Sequence, residues 1–390
     1  MDKERVTAVE RAALGFSAWD ELLALAERHR IVALAHHGAM RAGLEPPPAI
    51  AAEMRRRALG VAGEALALAA EACRLQELLD GADIPAVFLK GASLAMLAYG
   101  TFAVKHGKDI DLLVKPDSAP AALNTLMANG YRLSGLHRDI GSERRHLVFR
   151  NFGDIELVNV RTGAHVELHW RICDNSRLLR GVDATSPTQR VDLAGGRGVR
   201  TLSDRDLFAY LCVHGADHRW ARLKWLADAN AFVARRGGQE IGELYRHARS
   251  IGAGLCAAQT LSLCGGLFGL ALPMGLRAEF AANPRVAKLV ADGLAGLAST
   301  APLNQEERRP GVMIREYFRP YSLGEGWSFH FEQLRSGWVG PHDIVEAPLP
   351  RSFEFLYPAL RVPLSVWRRR FFTRAVSGVS ASKPAGRAGN

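Results

Sequence analysis

Apolar positions recur at helical spacing through the first 80 residues, as in ALGVAGEALALAAEACRLQELLDGADI, which predicts a helical region closed at Gly81 and turned at Ile84-Pro85. The period then shortens. Ala86-Val87-Phe88-Leu89 and Ile110-Asp111-Leu112-Leu113-Val114 are short β-type runs, the second broken by Lys115-Pro116-Asp117. SAPAALNTLMANG predicts a capped helix ending at Gly130. Three more strands are predicted, over Arg145 to Arg150, Asp154 to Val160 and Ala164 to Trp170. Helical periodicity returns from Leu202, where Ser203 opens SDRDLFAYLCVHGADHRW with an N-cap signature, and continues to about Gly296. The stretch from Ala301 to Pro350 is rich in Pro, Gly and aromatics and reads as irregular. No fixed-period repeat is present. The order predicts an α+β protein: a helical region (1–80), a core with a small mixed sheet (81–200), a helical domain (201–300), then an irregular region with a basic tail (301–390).

Composition changes this picture little. Of 390 residues, 48% are hydrophobic and 23% charged, as in ordinary globular proteins with ample core. Five cysteines without a CxxC pair point to reduced thiols and a cytoplasmic setting, and the charged start MDKERVTAVERAALGF has no apolar signal segment. The uncharged run Gly252 to Pro273 raises the question of a membrane span. Its five glycines, together with Gln259, Thr260 and Ser262, favour a buried core helix. The net charge of +10 suggests nucleic acid until it is mapped: from Arg351 onward eight Lys or Arg face a single acid. The excess therefore lies largely in the tail, which reads either as a terminal helix packed on the body or as a basic amphipathic segment making weak contact with an anionic membrane or acidic partner.

The chemistry concentrates in FLKGASLAMLAYGTFAVKHGKDIDLLV, residues 88–114. A strand runs into Lys90-Gly91-Ala92-Ser93, where glycine permits close backbone approach and the N–H groups opening a helix favour phosphate. Asp109 and Asp111, two apart on a strand, project from one face. Two carboxylates on a rigid strand beside a phosphate-cradling loop suit Mg²⁺-dependent phosphoryl transfer, since hard cations take oxygen ligands and bridge to phosphates. A third carboxylate from a neighbouring strand would complete the set; Glu167 in HVELHW is the candidate and Glu156 in DIELVN the competitor.

KGASLAMLAYG…KDIDLLV, HVELHW and HGADHRWARLKWLAD resemble the uncharacterised nucleotidyltransferase family of bacteria, within the polymerase-beta-like superfamily, over roughly residues 10–300. The resemblance implies a minimal nucleotidyltransferase palm beside a helical domain, and Mg²⁺-dependent transfer of a nucleoside monophosphate from an NTP. It implies Gly91 and Ser93 in the phosphate loop, Asp109 and Asp111 as metal ligands, and Glu167 in the third acidic position. Two departures stand out. Ala92 separates the usual Gly-Ser pair, and Lys105 occupies a place commonly held by arginine, keeping the charge without the bidentate fork. Lys90, Lys105 and Lys108 are candidates to offset triphosphate charge.

His214 and His218, four apart, could hold zinc but lack an evident third ligand. Trp220, Arg222, Lys224 and Trp225 offer an aromatic and cationic surface for a base or phosphate, with core packing the alternative. His165 and His169 flank Glu167 at period two. No Walker-type or GxGxxG motif and no nucleophile elbow is present. The expected function is nucleotidyl transfer to an unidentified acceptor, whether small molecule, saccharide, peptide, protein or RNA. A catalytically silent nucleotide-binding or interaction module is the alternative.

Overall fold

A computed structural model describes residues 3–299 except 14, residues 318–361 except 337, and residue 363. The N-terminal helices are α1 (Lys3–Ala13), α2 (Trp19–Arg28), α3 (Val32–Arg41) and the long α4 (Pro48–Asp80). Leu23 and Ala26 of α2, Val32 and Ala33 of α3, and Met54 and Val61 of α4 bury one another in a small core of their own.

The palm is a five-stranded mixed sheet in the order β1 (Ala86–Phe88), β2 (Asp109–Val114), β5 (His165–His169), β4 (Asp154–Asn159), β3 (Tyr131–Leu133). The β2 and β5 strands run parallel; the other neighbours are antiparallel. Between strands lie α5 (Ala92–Tyr99), α6 (Ala119–Ala128) and α7 (Arg145–Asn151). The alternation of β2 explains its place. Ile110, Leu112 and Val114 enter the core shared with α4 and α6, whereas Leu113 packs with the C-terminal helices on the other face. Asp109 and Asp111 share that second face.

A hairpin of β6 (Thr188–Ala194) and β7 (Arg197–Leu202) leads into a run of helices: α8 (Asp204–Asp217), α9 (Leu223–Val233), α10 (Gly238–Ser250), α11 (Gly254–Phe268), α12 (Met274–Ala282) and α13 (Pro284–Ala298). Ser203 caps α8 by accepting a bond from the Asp206 amide, as its N-cap signature predicts. The apolar run from Gly252 becomes α11, whose Cys256, Ala257, Ala258, Leu261 and Cys264 are buried at the centre of the largest core. No helix among the described residues is long and apolar enough to cross a membrane. Beyond α13 come α14 (Trp327–Ser336) and α15 (Pro341–Glu346), so the region read as irregular carries helix in its described part. The tail from residue 364 onward, and with it most of the proposed membrane or acidic-partner contact, lies outside the described residues.

One strand expectation is corrected. Residues Arg145 to Arg150 form the helix α7, because Leu147 packs on Ile344 and Tyr357 while adjacent Val148 enters the sheet core, an arrangement that needs helical rather than alternating directions. A short apolar run does not distinguish the two by period.

Candidate active site

The register of β2 and β5 places Asp111 directly beside Glu167, with Asp109 beside His165 and Leu113 beside His169. Side chains paired across a parallel ladder share a face, so one sheet face gathers Asp109, Asp111, Glu167 and His169. They line a cleft of about 670 Å³ between the sheet and helices α8 and α9. Asp111 is buried. One of its oxygens lies 3.1 Å from Lys90 Nζ and 3.5 Å from His169 Nε2, which is also 3.4 Å from Glu167 Oε2. The other oxygen, Oδ2, is buried with no hydrogen-bond partner among the described residues.

The charges in this group are strongly coupled. Burial would raise the Asp111 pKa, but the Lys90 and His169 charges outweigh it and hold the carboxyl well below its usual range. Burial likewise opposes the His169 cation, yet the Asp111 and Glu167 carboxylates push its pKa up to about 10. Lys90 is raised above its ordinary value for the same reason: Asp111 overcomes the burial penalty. The contact with His169 favours ionised Glu167, but burial together with the Asp111 and Asp109 charges raises its pKa on balance. Two cations therefore rest against a carboxylate cluster that would otherwise repel itself. The ligand atoms of Asp111, Glu167 and His169 all lie within 4.8 Å of one another, a group that could hold a metal ion. The orphaned Asp111 oxygen and the oxygen-rich donors suit a hard divalent cation.

Gly91 precedes α5 with φ of +80°, which disfavours any other residue although its Cβ would meet no neighbour within 4 Å. It lies between Lys90 and the first turn of α5, where the sequence leads one to expect a phosphate loop. Ser93 is buried and its hydroxyl donates to the Lys90 carbonyl at 3.3 Å, so it shapes the loop from within. Lys105 is buried too, ion-paired to Asp228 of α9, which also accepts a 2.9 Å bond from the Tyr99 hydroxyl. Lys108 is exposed and lines a separate hollow with Glu71, Arg74 and Thr162, away from the carboxylates. Glu156 faces Glu167 across β4 and β5 but is exposed beside Gly135; its strand contributes Asp154 to the cleft instead.

The opposite wall comes from α8, α9 and the turn between them. His214, His218, Lys224 and Trp225 line the cleft, with the His218 and Trp225 rings stacked 5.0 Å apart. Burial lowers the pKa of both histidines, and His214 Nε2 has no hydrogen-bond partner among the described residues. No third metal-ligating side chain joins this pair among the described residues. Trp220 is instead a core residue, seated so closely on Gly215 that a Cβ there would fall 2.1 Å from its ring. Arg222 donates to the Arg28 carbonyl at 2.5 Å. His165 is exposed at the strand end. Arg30, contributed by the turn after α2, also reaches the cleft; nothing in its local sequence marks it, because the connection spans the whole palm.

A mixed palm sheet bearing paired carboxylates, beside a glycine turn that opens a helix, defines a protein of the nucleotidyltransferase fold. The chain belongs to a family described as uncharacterised nucleotidyltransferase, whose model matches residues 17–269. No curated protein matches the sequence.

Proposed function

We propose that the protein transfers a nucleoside monophosphate from an NTP to an acceptor with Mg²⁺ as cofactor. The observation that carries this reading is the register of β2 and β5, which sets Glu167 beside Asp111 on the face that also bears Asp109. Asp109, Asp111 and Glu167 would hold the ion, with His169 close enough to adjust its charge. When bound, Mg²⁺ would neutralise phosphate charge and polarise the reacting phosphoryl group.

The chain's own groups supply the rest. The loop at Gly91 receives the phosphates, and Lys90 moves its charge from Asp111 to the triphosphate. An acceptor oxygen or nitrogen attacks the α-phosphorus, the bond from that phosphorus to the bridging β-oxygen breaks, and pyrophosphate leaves. Glu167 would take the acceptor's proton. His218 and Trp225 offer a flat surface for the base. Positioning and preorganised charge account for most of the rate in such chemistry. The NTP substrate and five free cysteines support a cytoplasmic reaction.

The test supplies α-phosphate-labelled NTPs with Mg²⁺ and cell extract to wild type and to Asp109→Ala/Asp111→Ala. Label should pass to an acceptor only with wild type. No transfer from any NTP, combined with no Mg²⁺-dependent nucleotide binding, would reject the reading.

A further inference from the structure

Helix α2 ends in a Schellman-type turn: the Ile31 amide donates to Ala26 O at 2.8 Å and the Arg30 amide to Glu27 O at 2.9 Å. The left-handed position of that turn ordinarily belongs to glycine. Here it is Arg30, with φ of +56°. A side chain kept in a conformation that disfavours it invites a search for what the side chain does.

The turn is tied down around it. Arg222 donates to Arg28 O, the Leu223 amide to His29 Nδ1 at 3.1 Å, and the Lys224 amide to His29 O at 3.3 Å. These bonds fasten Arg28 and His29 over the start of α9 and leave Arg30 directed into the cleft beside Lys224 and Trp225. No described residue gives the Arg30 guanidinium a hydrogen-bond or ion-pair partner. Lys224 is similarly short of partners: among the described residues its Nζ donates only to the His106 carbonyl, at 3.4 Å. Burial, then the like charges of Lys105, Arg30 and Lys90, push its pKa down to about 7, against the pull of Asp228. Asp228 is already committed to Lys105 and Tyr99. The cleft thus has an under-neutralised cationic arm on the Gly91 side of the carboxylates, whereas Asp154, Asp174 and Asp217 line other parts of it.

We infer that Arg30 and Lys224 form the site for the β,γ-pyrophosphate of the nucleotide, with Arg30 supplying from outside the palm the bidentate fork that Lys105 lacks. This rests on the nucleotidyl-transfer reading and names the anchor of its leaving group. A planar guanidinium matches two phosphate oxygens, which an ammonium held by Asp228 does not.

The full chain is titrated with pyrophosphate in the presence of Mg²⁺ for wild type, Arg30→Gly, Arg30→Lys and Lys224→Met. Arg30→Gly and Lys224→Met should weaken binding about tenfold to a hundredfold, and Arg30→Lys by less. Arg30→Gly also relieves the left-handed strain, so its melting temperature should equal or exceed that of wild type; a merely structural arginine would lower it. Pyrophosphate affinity unchanged in Arg30→Gly, or absent from wild type, overturns the inference. Affinity that depends on Arg30 without label transfer in the assay above would sink the transfer reading alone, and transfer with affinity independent of Arg30 would sink this one alone.

Discussion

At the scale of single residues, the site balances opposing charges rather than filling a shape. Asp111 is buried with Lys90 on one oxygen and, among the described residues, no hydrogen-bond partner on the other, and a carboxylate in that condition is costly unless a cation completes it. Glu167 completes the acidic face because the parallel register sets it beside Asp111; Glu156, opposite it on the next strand, stays at the surface. The two substitutions should therefore separate. Glu167→Gln should lower kcat about a hundredfold or more, the usual cost of removing a charge aimed at the reacting group. Glu156→Ala should leave kcat within about threefold, as an exposed substitution. Comparable losses in both variants would mean that the cleft geometry misassigns the third carboxylate. Period-two spacing makes Asp109 and Asp111 legible in the sequence as one face. The His169 bridge and the Lys90 contact are not legible, because they depend on a strand register and a loop path that no local pattern encodes.

At the scale of elements, helix α9 carries charge into a place that resists it. Lys224 lies in its first turn, where the helix dipole also disfavours a cation. With its pKa at about 7 in the folded protein against an ordinary 10.5, the folded state sheds a proton that the unfolded state keeps. Unfolded chains bind more protons throughout that window, so this group's contribution rises with pH there and is most unfavourable below it. Lys224→Met should accordingly melt higher than wild type at pH 7. The gap should narrow by about 1.4 kcal/mol per pH unit toward pH 10, read from denaturant curves at matched ionic strength. A gap independent of pH would show that Lys224 is not the strained cation. Element boundaries were legible where capping or long periodicity spoke, as at Ser203 and along α4. The β6–β7 hairpin escaped the reading although Gly195-Gly196, both at positive φ, is a hairpin turn signal. The apolar run of α7 escaped for a different reason, since its direction is set by Ile344 and Tyr357, about 200 residues away.

At the scale of the whole molecule, the cleft is closed by segments from both ends of the chain. Arg30 of the N-terminal turn and, from beyond the matched family segment, Arg319, Pro320, Leu323 and Gln333 all line it. Arg319 donates to the carbonyls of Ala216 and Asp217 at the end of α8. Asn175, buried at the cleft wall, donates to Phe329 O at 3.2 Å and to Gln333 Oε1 at 3.0 Å, pinning α14. On the in-line transfer proposed above, leaving group and acceptor would occupy opposite sides of the α-phosphorus, and that proposal assigns the α14 segment to the acceptor. That division yields a separable prediction. Asn175→Ala removes two bonds to α14 and should cost about 1–3 kcal/mol of stability. Amide exchange over residues 327–336 should quicken, and transfer to the acceptor in extract should slow, while pyrophosphate affinity stays at the wild-type value. Exchange unchanged over α14 would show that its other contacts, among them the Arg319 bonds, the Arg285 bonds to Gly324 O and Glu325 and the buried Phe329 ring, hold the cap without Asn175. A fall in pyrophosphate affinity as large as that of Arg30→Gly would mean that the two ends of the cleft are one coupled unit rather than a nucleotide side and an acceptor side.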